Sequence, residues 1–124
     1  MSAMSVPFST VLVVDDNPIA RFTAVHLFEH LGFKVVDAYN GATALRIIEA
    51  NPRIGLLFVD VRMPGMSGPE LAEAARKLRP ELKIVFTSGL VEEHDVPSHA
   101  SFVPKPLRLE AIANAVEMTT AGAG

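Results

Sequence analysis

The chain carries Thr10-Val11-Leu12-Val13-Val14-Asp15-Asp16 near its start and Leu56-Leu57-Phe58-Val59-Asp60 near its middle. Apolar runs this short, rich in β-branched residues and closed by turn signals, read as strands covered on both faces, whose last residues emerge at one edge of a sheet. Asp15, Asp16 and Asp60 are therefore expected to meet. Carboxylates packed that closely repel one another unless a cation joins them or a pKa rises, and an all-oxygen donor set selects a hard metal ion. Mg²⁺ is the leading candidate.

Outward from the first run, Asn17-Pro18 supplies an N-cap and a proline at the first helical position, and Gly32 follows Leu31 as a stop. The first helix is expected over Pro18 to Leu31. At 100° per residue, Ala20, Ala24, Leu27, Phe28 and Leu31 share a core face, with Ile19, Thr23, His26 and His30 on a second stripe. Phe33 to Ala38 reads as a second strand, Gly41 to Ala50 as a second helix closed by Asn51-Pro52, and Leu56 to Val59 as the third strand. Ser67-Gly68-Pro69-Glu70 is a capping box opening a helix over Gly68 to Leu78. Lys83 to Phe86, Ser101 to Val103 and Leu109 to Thr119 then give a fourth strand, a short fifth strand and a last amphipathic helix.

Strands alternating with helices at this spacing imply right-handed βαβ units and a parallel sheet. Five strands with helices on both faces fit the doubly wound, flavodoxin-like α/β order 2-1-3-4-5. Ligands in such sheets bind beyond the carboxyl ends of the strands, where the first and third lie side by side. Asp15, Asp16, Asp60, Thr87 and Lys105 all fall at or just past strand ends.

Size and charge narrow the function. A chain of 124 residues buries a normal core as one domain, and with no cysteine it forms neither disulfides nor thiolate metal sites. No apolar run approaches the roughly 18 residues of a membrane span, and Met1 to Thr10 lacks signal-peptide character, so a cytoplasmic protein off the membrane is expected. Net charge is −3 with both signs interspersed, which argues against nucleic-acid binding.

Val13-Val14-Asp15-Asp16, Asp60-Val61-Arg62-Met63-Pro64-Gly65-Met66-Ser67-Gly68, Thr87-Ser88-Gly89 and Lys105-Pro106, in that order, resemble the receiver domain of two-component response regulators. The likeness spans about Thr10 to Thr119, so residues 1–9 read as an extension, 10–120 as a receiver domain of the single-domain type and 121–124 as a flexible tail. It implies that Asp60 accepts a phosphoryl group from a histidine kinase or histidine phosphotransfer protein. The domain would then be a switch, catalysing only its own phosphoryl transfer and dephosphorylation, and signalling to an unidentified downstream protein. On this resemblance Asp16 and Asp60 bind Mg²⁺ directly, Asp15 directly or through water, and the Arg62 backbone carbonyl adds a ligand. Lys105 supplies a second cation, the Thr87 hydroxyl donates to the phosphate, Phe102 is the aromatic that swings with Thr87, and Lys105-Pro106 is a cis peptide. The partner is expected on Ile19, Thr23 and His26 and the loop after Pro106, with the receiver a monomer or weak dimer.

Each residue also has a plainer role. An acidic pair after a strand favours a helix N-terminus, a strand-end threonine caps backbone, a lone lysine is a solvated charge, and Phe102 serves as ordinary core. Gly65 and Gly68 serve the loop backbone and the helix start. His26 and His30 have no third ligand nearby in the sequence and read as exposed helix surface. A Mg²⁺-dependent aspartyl-phosphate phosphatase resembling the haloacid dehalogenases needs an acid two residues after the nucleophile, where this chain has Arg62. A docking module without phosphorylation would not need the full set of five residues. The same sequence also fits a receiver segment of a hybrid histidine kinase, although Met1 and the short tail lean towards a stand-alone protein.

Between the fourth and fifth strands the chain departs from the family. The stretch from Thr87 to Lys105 is about one helical turn short, Pro97 removes a donor, and Glu92-Glu93-His94-Asp95 offers no apolar stripe. The family's fourth helix is expected to be shortened or irregular here.

Overall fold

A computed structural model describes residues 6–89 and 101–121. Five strands, β1 (Thr10–Val14), β2 (Lys34–Ala38), β3 (Ile54–Asp60), β4 (Lys83–Ser88) and β5 (Ser101–Pro104), form one parallel sheet in the order β2-β1-β3-β4-β5. The doubly wound order expected from the alternation of elements is the one observed. The helices among the described residues are α1 (Pro18–His30), α2 (Gly41–Ala50), α3 (Gly68–Leu78) and α4 (Leu109–Ala121). Residues 90–100, where the irregular segment was expected, lie outside the described residues.

Local chemistry sets the helix starts. The Asn17 side chain accepts from the amides of Ile19 and Ala20 with Pro18 in the first turn, and Asn40 accepts from Thr43. At α3 the capping box is complete: Ser67 accepts from the Glu70 amide at 3.2 Å, and Glu70 accepts from the Ser67 amide at 2.9 Å. Sequence and structure differ mainly at ends. β3 begins earlier and runs through Asp60, β4 runs on to Ser88, and α4 reaches Ala121, taking in the first residue assigned to the tail. β3 gains its early residues because Ile54 pairs with Thr10 of β1 across a register shift that skips Gly55, which a hydrophobic run alone does not reveal.

The sheet sorts its side chains by parity. Leu12, Val14, Leu57 and Val59 face α2 and α3, packing on Ala44, Ile48, Leu71 and Ala75, whereas Val11, Val13, Leu56 and Phe58 face α1 and α4, packing on Ala24, Phe28, Ile112 and Val116. Phe28 centres the second layer, edge-on to Phe58 at 5.1 Å and to Phe33 at 6.0 Å. Of the expected α1 core face, Ala24, Phe28 and Leu31 are buried and Ala20 and Leu27 half-buried. Phe8, assigned to the N-terminal extension, stacks on Phe33 at 5.7 Å and lies where a Cβ at Gly55 would fall, so the extension covers an end of this layer.

Candidate functional site

Strand register assembles the site one neighbour at a time. Val14 pairs with Val59, which sets Asp15 beside Asp60; Asp60 pairs with Thr87; and Ser88 pairs with Pro104, which sets Lys105 one step beyond the sheet. Carboxylate oxygens of Asp15, Asp16 and Asp60 lie within 4.8 Å of one another, with Asp15 and Asp60 buried and Asp16 exposed. The convergence expected from the strand ends is present.

Lys105 Nζ donates to Asp60 Oδ2 at 2.8 Å and lies 2.9 Å from Asp15 Oδ2. Its backbone amide donates to the Ser88 carbonyl at 2.9 Å, and the Lys105-Pro106 peptide is cis, as the resemblance implied. The other oxygens of the two buried acids meet backbone: Asp15 Oδ1 accepts from the Asn17 amide at 2.9 Å and Asp60 Oδ1 from the Arg62 amide at 3.1 Å. Burial pushes the Asp15 carboxyl above its ordinary range, outweighing the Asn17 amide and Lys105, with the Asp60 charge adding to the rise. Burial alone would lower the Lys105 ammonium, yet its bonds to Asp60 and Asp15 hold it above its ordinary value. The ammonium is thus firmly charged, and the pocket keeps an excess of negative charge.

Thr87 is buried, and its Oγ1 has no hydrogen-bond partner among the described residues. Its carbonyl accepts from the Val61 amide at 2.9 Å, tying the end of β4 to the loop after Asp60. That loop is shaped by two glycines. Gly65 sits at φ +77°, a conformation side chains disfavour, and a Cβ at Gly68 would collide with the Asp60 carbonyl and the Val61 Cα while its amide donates to the Val61 carbonyl. Phe102, in β5, is half-buried against Phe86 and the layer under α2 and α3.

On α1, Ile19 is 77% exposed, and Thr23, His26 and His30 are also exposed, as their stripe indicated. Two features of this helix were not read from the sequence. Phe22 is 65% exposed, its ring tilted against that of His26 at 4.1 Å between centroids, and it enlarges the apolar surface near Ile19 one turn before it. Arg21 reaches back to the acid pair, donating from Nη1 to the Asp15 carbonyl at 2.8 Å and from Nε to Asp37 Oδ2 at 2.9 Å.

The chain belongs to the response regulator receiver domain family, whose profile matches residues 11–117. It is 37% identical over 112 residues to the response regulator receiver protein CpdR of Brucella abortus (strain 2308), covering 86% of this chain and 92% of that protein. It is 35% identical over 115 residues to the sensor kinase CckA of the same organism, covering 88% of this chain but 12% of CckA. The crystal structure of the receiver domain from the hybrid histidine kinase CckA superposes with a TM-score of 0.77 at 33% identity, over 90% of this chain and 99% of that one. A receiver domain protein from Clostridium thermocellum shares the fold with a TM-score of 0.83.

Proposed function

We propose that Asp60 is the phosphoacceptor of this receiver, taking a phosphoryl group from a phosphohistidine on a histidine kinase or phosphotransfer protein in a Mg²⁺-dependent reaction. The P–N bond to the imidazole breaks, a bond from phosphorus to an Asp60 carboxylate oxygen forms, and the imidazole leaves to be protonated by solvent. The observation that carries this reading is the Thr87 hydroxyl, buried and without a hydrogen-bond partner among the described residues, at the residue paired with Asp60 across β3 and β4. A buried donor with no acceptor costs free energy unless something else supplies one, and a phosphoryl oxygen on Asp60 would do so.

The donor set fits the metal as well. Asp15, Asp16 and Asp60 present oxygen ligands within 4.8 Å of one another, and with the Arg62 backbone carbonyl they would hold Mg²⁺. When bound, the ion neutralises charge on the phosphoryl oxygens, which is most of what catalysis of phosphoryl transfer requires. Lys105, already charged and on Asp60, would donate to a phosphoryl oxygen as a second cation. Thr87 would donate its hydroxyl, and Phe102, half-buried on the neighbouring strand opposite Phe86, would follow it, altering the protein-binding surface on the β4 and β5 side. The exposed Ile19, Phe22 and His26 patch supports docking of the phosphodonor beside the acids.

Acetyl phosphate with Mg²⁺ should add one phosphoryl group, detected by intact mass, and Asp60→Asn should abolish it. Retention of the label in that variant would sink the assignment.

A further inference from the structure

We infer that Arg21 is a positioning residue for the metal end of the site, fixing the peptide that joins Asp15 to Asp16 by clamping it to Asp37. This inference rests on the acid cluster being a Mg²⁺ site.

A peptide unit is planar, so holding its carbonyl fixes the direction of both flanking Cα atoms. The carbonyl in question is that of Asp15, and Arg21 Nη1 donates to it at 2.8 Å. The guanidinium is anchored in turn, because Nε donates to Asp37 Oδ2 at 2.9 Å and the Arg21 side chain is only 22% exposed. On its other side, the Asp15 amide donates to the Ala38 carbonyl at 3.2 Å. Both peptide units of Asp15 are therefore tied to the end of β2, one directly and one through Arg21.

The two acids depend on this tie to different degrees. Asp15 is held anyway by the Asn17 amide and Lys105. Asp16 is exposed, and no hydrogen bond or ion pair restrains its carboxylate among the described residues, so its placement comes from the backbone alone. Loss of the clamp should thus be felt chiefly through Asp16. A guanidinium suits the task because its planar fork serves a carbonyl and a carboxylate at once, which a lysine ammonium on a flexible stem does less rigidly.

Positioning and simple charge give opposite signs. Arg21 is a cation next to a cation site, so if charge were its only influence, removing it would tighten Mg²⁺ binding. If it positions the acids, removing it weakens binding, and loss of such outer partners commonly costs on the order of tenfold in metal affinity.

The test is Mg²⁺ titration of wild type, Arg21→Gln, Asp37→Asn and the double variant, followed by amide NMR shifts around Asp15 to Asn17. Arg21→Gln should raise the Kd for Mg²⁺ on the order of tenfold, Asp37→Asn should raise it less, and the double variant should be no worse than Arg21→Gln. Phosphorylation by acetyl phosphate should need correspondingly more Mg²⁺ while its rate at saturating Mg²⁺ is retained, a split that general damage to the fold does not produce. Unchanged or tighter Mg²⁺ binding in Arg21→Gln, or additive losses in the double variant, would overturn the inference. Should Arg21→Gln melt at the working temperature, Asp37→Asn decides: wild-type affinity there overturns the clamp. Failure of the wild type itself to bind Mg²⁺ would strike the underlying reading of the site, and is a separate result.

Discussion

Lys105 Nζ lies 2.8 Å from Asp60 Oδ2 and at the same time 2.9 Å from Asp15 Oδ2, so a single ammonium bridges two buried carboxylates from different strands. The bridge spans β1 and β3 from the end of β5, which makes it both a tertiary staple and an occupant of the ground a metal ion would share. Breaking it leaves two acids under-compensated in a largely buried setting.

Lys105→Met is therefore expected to destabilise the metal-free protein by about 1–3 kcal/mol, less than a fully buried pair costs because the lysine retains some solvent contact. Added Mg²⁺ should restore much of that loss, since the dication supplies the missing charge. Phosphorylation at Asp60 should slow even at saturating Mg²⁺. Thermal melts with and without Mg²⁺ check the first two outcomes, and an unchanged metal-free melting temperature would contradict the bridge.

Thr87→Val keeps the side chain's shape and removes a hydroxyl that has no hydrogen-bond partner among the described residues. Because a buried unpaired donor costs rather than contributes, the variant should be as stable as wild type or more so, by up to about 1 kcal/mol. Its aspartyl phosphate should nonetheless fail to reproduce the wild-type change in NMR shifts around Phe102. A melting temperature clearly below wild type would mean the hydroxyl is satisfied in the resting protein.

Ile19→Glu places a charge in the exposed apolar patch it forms with Phe22. Transfer from a phosphorylated kinase should slow by tenfold or more, on the order of one interface anchor, whereas labelling by acetyl phosphate should persist. Equal loss in both assays would point to damage within the site instead.

The raised Asp15 carboxyl fixes the sign of a pH effect. A carboxyl whose folded pKa lies above the unfolded value of 3.8 binds protons more readily when folded, so it costs stability at neutral pH, and that cost fades as pH falls through its folded pKa. Metal-free Asp15→Asn, which mimics the protonated form, should melt higher than wild type at neutral pH, with the difference shrinking towards pH 3.8. Mg²⁺ binding by the wild type should weaken on acidification before pH 3.8 is reached, because protons compete at Asp15. Exposed Asp16 should give a smaller stability gain when replaced by alanine, although Mg²⁺ binding should be lost. A stability difference that widens in acid would reverse the assigned direction.

Local signals in the sequence were enough for the elements and for the acids. Strand runs, the Asn17-Pro18 start and the Ser67 to Glu70 capping box act over a few residues, and a parallel sheet with alternating helices forces strand ends to one edge, so Asp15, Asp16, Asp60, Thr87 and Lys105 could be placed there before any coordinates. What they do to one another could not. That Lys105 bridges two acids, that the Thr87 hydroxyl has no partner among the described residues, and that Asp60 lies opposite Thr87 follow from strand register, which depends on packing across the whole sheet. Arg21 and Asp37 look like ordinary surface charges in the sequence; only the close return of β2 alongside β1 brings that carboxylate within reach of a side chain on α1. Phe22 and Phe8 were equally illegible, because hydrophobicity names residues that can be buried, and the shape of the assembled layers decides that Phe8 covers Phe33 while Phe22 stays in solvent.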